Sequence, residues 1–362
     1  MENLSEKKAK IYHKGFSANF IKILAVISMT IDHIGAALLE PLIIKRGFYE
    51  ALVSEEASDI WFGNFLNAFL YYSDMIFRRI GRLAFPLFCF LMAEGFFYTK
   101  SRKKYLVRLF IFSLISEIPF DLAFNGRAFD RDYQNVILTF FISFLALCLK
   151  ELLRKKCYKG VFPLILKEFS FFLFGFSFFF VLLTSEAGLC IIDVFFPREG
   201  LMAFMRNLSL FNFEFTFFNE RYFVFSSISG LFSLIILNLY LMNKDRDKTV
   251  SEAIGWIPVY IAVFLTYFLS TDYSVIGPLV LLIFYLYKLQ TPKKKERAMT
   301  VSVIFLSVYS FLEFYAFFDI LPVKAYNSKK GRGHKYFFYI YYPLHLLILY
   351  LIARFALGIT VW

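Results

Sequence analysis

The sequence predicts an all-α polytopic membrane protein, on three observations. Hydrophobic residues make up 59% of the 362 positions and charged residues only 19%; a soluble domain carries about 25% charged residues and could not hide so much apolar surface. Mean hydropathy is +0.60. Apolar runs of about 20 residues, enough to cross a ~30 Å hydrocarbon core, recur along the whole chain. This composition excludes disorder, collagen, coiled coil and a secreted disulfide scaffold. The formal net charge of +12 would suggest nucleic acid in a soluble protein. Here a cytoplasmic excess of Lys and Arg accounts for it, and no nucleic-acid partner is expected. Cys89, Cys148, Cys157 and Cys190 form no CxxC pair or Cys/His cluster, so no metal site is expected.

The basic start MENLSEKKAKIYHKG has no cleavage motif, and the apolar run after it is too long for a signal-peptide core. It reads as a retained first span. About ten spans follow the hydropathy, near 18–40, 80–99, 105–124, 134–152, 161–184, 222–242, 253–270, 274–290, 299–320 and 336–357. A further stretch, 60–78, contains Trp61, Asn64, Asn67, Tyr71, Tyr72 and Asp74. It reads either as an eleventh span or as a helix along the outer surface. Charge decides for the surface helix. Lys7, Lys8, Lys10 and Lys14 place the N-terminus inside, and with ten spans the clusters 100–104, 154–159, 244–248 and 293–297 also fall inside. The expected topology is therefore N-in/C-in. One loop breaks the rule: Lys324, Lys329, Lys330, Arg332 and Lys335 would lie outside. Residues 185–221, polar among many Phe, read as an extracytoplasmic interfacial insertion in a single domain covering 1–362. No inverted pair of broken spans is visible, which weakens a secondary-transporter reading.

Ionisable groups inside a span are expensive and usually functional. The first span carries Lys22, Asp32 and His33. Lys22 and His33 are eleven residues apart, about three turns plus 20°, so they share a face and are separated by roughly 16 Å along the axis. This suggests a path with a phosphate-binding cation at its mouth and a proton acceptor deep inside; imidazole suits that role because its unperturbed pKa is about 6.5. Asp32 points about 100° away, toward a neighbouring helix. The bland alternative is a snorkelling lysine and a helix–helix hydrogen-bond pair. Arg82 and Glu94, twelve residues apart, cannot pair with each other; Glu94 needs a cation such as Lys22, Arg102 or Arg108. Arg102, Lys103, Lys104, Tyr105 and Arg108 could hold the phosphates of a nucleotide-bearing cofactor or simply mark the inside. Glu117 sits just before Pro119, where a broken backbone ladder permits polar side chains. Asp272 and Tyr273 occupy a tight interhelical turn. His345, behind Tyr342 and Pro343 in the last span, should lie at a depth similar to that of His33.

These residues fall in blocks that resemble the TraX family of integral membrane proteins, named for a plasmid-encoded pilin acetyltransferase. The blocks are LAVISMTIDHIGAAL at 24–38, IGRLAFPLFCFLMAEGFFYT at 80–99, KYLVRLFIFSLISEIPFDL at 104–122, NVILTFFISFLAL at 135–147, TDYSVIGPLVLLIFYL at 271–286 and AYNSKKGRGHKYFFYIYYPLHLL at 325–347, the last including Tyr326 and Asn327. They cover about a third of the chain. Ser328 stands where the family pattern leads one to expect glycine, and 150–250 looks like an insertion. The family is similar in its first span to other transmembrane acyltransferases, including acyltransferase family 3 proteins, in which a basic residue, ten others and a histidine recur. Lys22 and His33 fit that pattern.

The resemblance implies a bacterial cytoplasmic-membrane acetyltransferase. Acetyl-CoA would bind from the cytoplasm near Lys22, Arg102, Lys104, Tyr105 and Arg108, without a metal. His33 would be general base or acyl carrier. Asp32 would orient a neighbouring group or stabilise an imidazolium. Arg82, Tyr342 or His345 would bind acceptor or polarise the thioester carbonyl. The acceptor would be a surface glycan or a pilin-like protein N-terminus. Rival classes are a transporter or flippase with charges along a substrate path, and an assembly factor that only binds a membrane partner.

Overall fold

The computed structural model describes residues 15–47, 65–186, 220–242, 244–332 and 336–359. The described residues are all-helical: α1 Ala18–Ile34, α2 Glu40–Lys45, α3 Phe65–Gly81, α4 Ala84–Tyr98, α5 Arg102–Asn125, α6 Val136–Leu153, α7 Phe162–Thr184, α8 Glu220–Leu241, α9 Arg246–Phe268, α10 Ile276–Tyr287, α11 Pro292–Tyr309, α12 Ile320–Lys324 and α13 Phe337–Leu351. Side chains that prefer N-caps open several of them. Ser17, Ser101, Asn135, Asp245 and Thr291 each accept a backbone N–H of the first turn of α1, α5, α6, α9 and α11. Among the described residues, six helical stretches are long and apolar enough to cross a membrane: Ala18–Lys45, Leu66–Tyr98, Val136–Leu153, Phe162–Thr184, Arg246–Phe268 and Phe337–Ala356. The protein is an integral membrane protein.

The contacts give the direction of each pass. Lys22 on α1 lies at one end of the bundle and His33 toward the other. α4 runs back from Arg82, bonded to Asp32, to Tyr98, which shares a cavity with Lys22. α11 starts with Lys295 against Glu94 near the Lys22 end. The expected span 299–320 is then broken at Ser310, where α11 ends. A 3-10 helix, Phe311–Asp319, brings Glu313 to Arg82, and the chain returns through α12 until Lys324 meets Glu296 at 3.7 Å. This return pass corrects the expected topology. α13 runs parallel to α1: Phe338 packs on Lys22, Tyr341 bonds Thr30, His345 bonds His33, and Lys45 reaches the carbonyls of Leu357 and Gly358. The two helices cross in the same sense, so the segments before α1 and after α13 lie at opposite ends, not on one side as N-in/C-in requires.

The same path relocates the basic loop that broke the charge rule. The carbonyls of Lys329 and Lys330 accept the N–H groups of Ala18 and Asn19, satisfying orphan donors at the start of α1. The loop therefore lies at the Lys22 end with the other basic clusters. The 60–78 stretch differs from expectation too. Its described part belongs to Leu66–Tyr98, a 33-residue apolar helical stretch interrupted only by a turn at Arg82–Leu83. Of the 185–221 insertion, 187–219 lies outside the described residues.

Candidate functional site

Two helices that each end in a π turn carry the histidines. α1 passes into a π turn at Gly35–Leu39 and α13 into one at Ile352–Ala356; such turns often mark functional sites. His33 Nδ1 lies 2.7 Å from His345 Nε2, and the rings stack with centroids 5.0 Å apart. His345 Nδ1 lies 2.9 Å from the Tyr341 carbonyl oxygen. A carbonyl can only accept, so His345 carries its proton on Nδ1. In the neutral pair, its Nε2 then accepts the Nδ1 proton of His33. The remaining lone pair of the dyad sits on His33 Nε2, which has no hydrogen-bond partner among the described residues. Phe124 and Tyr342 stand edge-on to His33, at centroid distances of 5.3 and 6.1 Å.

Beside the dyad lies an ion-pair chain. Asp32 Oδ1 accepts from Arg78 at 2.8 Å and from Arg82 at 2.9 Å, and Arg82 also bonds Glu313 at 3.0 Å. Gly81 makes the close approach possible: a Cβ there would lie 2.3 Å from Asp32 Oδ1. Next to this ion-pair chain, Tyr133 donates to Asp272 at 2.8 Å, and Tyr273 stacks on Phe85 at 3.6 Å in a left-handed turn. Glu117 accepts from Asn135, whose Oδ1 caps α6. Pro119 does not end α5, which runs through it to Asn125.

A cavity of about 400 Å³ runs from the Lys22 end toward the dyad, within the ~300–1,000 Å³ of typical ligand sites. Lys22, Ser328 and Lys330 line its mouth. Phe88, Met92 and Phe140 form its walls, and Tyr342 closes its inner end. Tyr342 touches both histidine rings with its other edge. Of the expected phosphate-binding cluster, Tyr105 lines this cavity while Arg102, Lys104 and Arg108 do not. Arg102 instead bonds the Phe96 carbonyl and covers the Phe96 ring, Lys104 is exposed, and Arg108 lies over Tyr105. Glu94 pairs with Lys295 at 3.0 Å and accepts from Tyr326 at 3.2 Å. That corrects the expectation of Lys22, Arg102 or Arg108 as its partner, because those side chains turn elsewhere. Asn327 ties the basic loop to the backbone before α1.

The sequence of the whole arrangement matches one family. The model of the TraX protein family matches residues 17–176 and 215–353. The chain belongs to the TraX family. A probable fimbrial assembly protein FimC of serogroup H1 from Dichelobacter nodosus is 31% identical over 144 residues, 37% of this chain. The match spans 47% of that relative, so this chain covers about half its length. No solved structure matches. Among the described residues of this TraX member, no group of His, Cys, Asp and Glu could hold a metal ion.

Several residues of the site were not singled out in the sequence. Arg78 and Glu313 complete the chain around Asp32, Lys295 balances Glu94, and Tyr133 holds Asp272. A carboxylate within an apolar run, such as Glu313 in SFLEFYAFF, is the signal that could have flagged it.

Proposed function

We propose that this TraX protein is a membrane acetyltransferase that moves an acetyl group from cytoplasmic acetyl-CoA to an extracytoplasmic acceptor. The observation that carries the reading is the cavity: Lys22 and Lys330 at its mouth, largely apolar and aromatic walls with Glu94 neutralised by Lys295, and an inner end at Tyr342 against a histidine dyad with a free lone pair. The positive-inside rule puts the Lys22 end in the cytoplasm. The donor set fits a phosphorylated, elongated substrate. Lys22 and Lys330 would meet phosphates, Ser328 and Tyr105 offer hydroxyls, and the narrow apolar part suits an uncharged arm. Acetyl-CoA would supply an activated thioester carbonyl there.

The chain's residues then do the following. His33 Nε2 accepts the proton of the acceptor hydroxyl or amine as that group attacks the carbonyl. The C–S bond breaks, and the same proton passes to the leaving thiolate. Such general-base help is worth about 10²–10⁴-fold. His345 accepts from His33 Nδ1 and stabilises the imidazolium. Asp32 acts by holding Arg78 and Arg82, whose positive charge lies close to the dyad. Tyr342 offers a hydroxyl for the carbonyl oxygen. The fimbrial-assembly name of the relative from Dichelobacter nodosus favours a pilin-like acceptor over a surface glycan. The rival transporter reading also uses intramembrane charges, yet Asp32, Arg78, Arg82 and Glu313 are bonded to one another and do not line the cavity.

The test uses purified protein in vesicles with acetyl-labelled CoA. Wild type should release thiol, slowly even without acceptor, and a folded His33→Ala variant should not. Absence of CoA binding and of thiol release in folded wild type would reject the reading.

A further inference from the structure

A second cavity, of about 1020 Å³, shares no lining residue with the first. It exists because α8 is held to α7 by a small-residue seam. Ser233 bonds the Phe171 carbonyl at 2.5 Å, Ser229 bonds the Gly175 carbonyl at 3.0 Å, and Gly230 lies against Phe172. α7 in turn packs on α9, where Ser170 bonds the Ala253 carbonyl. This leaves α8 away from α9, α10 and α11, and the space between them is the cavity. α7 lines it along one stripe that includes Phe174, Phe178 and Val181; α9 contributes Trp256, Val259 and Val263.

The chemistry is polarised along its length. The apolar wall from Ala253 to Val263 is about 15 Å long at 1.5 Å per residue, half of a ~30 Å hydrocarbon core and so the depth of one leaflet. At its Lys22 end stand Lys244, Asp245, Lys248 and Glu252. The two carboxylates are engaged: Asp245 caps α9 through the Lys248 N–H, and Glu252 pairs with Lys150 and Arg154. Lys244 and Lys248 have no carboxylate partner among the described residues. The cavity thus offers two free ammonium groups above an apolar slot one leaflet deep.

We propose that it binds one anionic glycerophospholipid of the leaflet at the Lys22 end, with the phosphate between Lys244 and Lys248 and an acyl chain along α7 and α9. The acetyl-transfer reading does not enter this argument. The test exploits the three tryptophans of the chain. In full-length protein carrying Trp61→Phe and Trp362→Phe, Trp256 in the cavity wall is the remaining indole. The protein is placed in phosphatidylcholine vesicles doped with brominated-chain phosphatidylglycerol or brominated-chain phosphatidylcholine, and quenching is followed.

The phosphatidylglycerol should quench at a mole fraction about 30-fold lower, the effect of two ammonium groups near a membrane surface. Lys244→Gln with Lys248→Gln should remove that preference. Lys293→Gln with Lys294→Gln, an exposed basic pair at the same end, should preserve it. Equal quenching by both headgroups would mean ordinary surrounding lipid and overturn the proposal. So would an equal loss of preference in both lysine pairs, or no quenching at all.

Discussion

His33 gives its Nδ1 proton to His345 across 2.7 Å, and the Tyr341 carbonyl at 2.9 Å from His345 Nδ1 fixes the direction of that gift. A peptide carbonyl in the preceding turn of α13 therefore determines which nitrogen of a histidine on α1 is basic. Thr30 bonds the hydroxyl of the same Tyr341 at 2.8 Å, so the two helices are locked in register one turn before the dyad. Under the proposed transfer, His33→Ala should lose essentially all turnover. His345→Ala should lose less, on the order of 10²-fold, because His33 remains but loses its orienting acceptor. His345→Gln should recover part of that loss, since an amide oxygen can accept from His33 Nδ1. Thiol-release rates on the three variants check the order; equal rates for His345→Ala and wild type would remove the dyad from the chemistry.

Asp32 should report on stability before it reports on chemistry. It bonds both Arg78 and Arg82 in a partly buried cluster, where removing one partner costs up to the ~3–5 kcal/mol of a fully buried pair. Asp32→Ala is expected to lower the unfolding midpoint sharply in detergent, and His33→Ala to leave it nearly unchanged. Gly81→Ala should resemble Asp32→Ala, because its new Cβ would occupy the position of the Asp32 carboxylate. Thermal unfolding of the three variants measures this. A Gly81→Ala protein as stable as wild type would show that α1 and α3 can move apart freely.

The fold class, most helix positions and the similar depth of His33 and His345 were legible because each rests on a local signal; that the two rings bond each other was not. Apolar length gives spans, and a histidine deep in a span stands out against lipid. The partners of Glu94 and Asp32 were not legible, since pairing across α4, α11 and the 3-10 segment depends on where the chain turns back. The return at Ser310 defeats a window average: 299–320 is apolar on average despite Glu313 and Asp319, and no Gly or Pro marks the turn between α11 and the 3-10 helix. That single return explains why the basic 324–332 loop looked misplaced. Counting the pass moves both the loop and the end of α13 to the other side. Arg102 misled for a different reason. A cation beside a membrane interface reads the same whether it faces a ligand cavity or its own helix terminus.

Lys22 and Arg102 now separate cleanly as predictions. Lys22 lines the mouth of the first cavity, while Arg102 is turned to the Phe96 carbonyl and ring. Lys22→Gln should raise the KM for acetyl-CoA by roughly tenfold, the effect of one lost charge-assisted hydrogen bond, with kcat little changed. Arg102→Gln should leave both constants near wild type. Initial rates at varied acetyl-CoA decide. A KM effect confined to Arg102→Gln would place the phosphates at the start of α5 instead of beside α1.

Ser328 tests how the mouth of that cavity is built. It stands where the family pattern suggested glycine, and its φ of 60° is the left-handed conformation that glycine adopts freely. The serine offsets that backbone strain with its hydroxyl, which accepts from Lys295 at 2.7 Å, the same ammonium that neutralises the buried Glu94. Two effects oppose each other in Ser328→Gly: relief of the left-handed backbone, worth about 0.5–1 kcal/mol, and loss of a hydrogen bond to a charged group, worth about 1.5–3 kcal/mol. The larger wins, so Ser328→Gly should destabilise the protein by about 1 kcal/mol. Lys295→Ala should destabilise it by about 3–5 kcal/mol, because Glu94 is then buried without its cation. Adding Glu94→Gln should recover much of that loss, since the neutral amide still accepts from Tyr326. Denaturant unfolding in detergent ranks the variants. A Ser328→Gly protein more stable than wild type would mean that the backbone strain dominates and that Lys295 needs only Glu94.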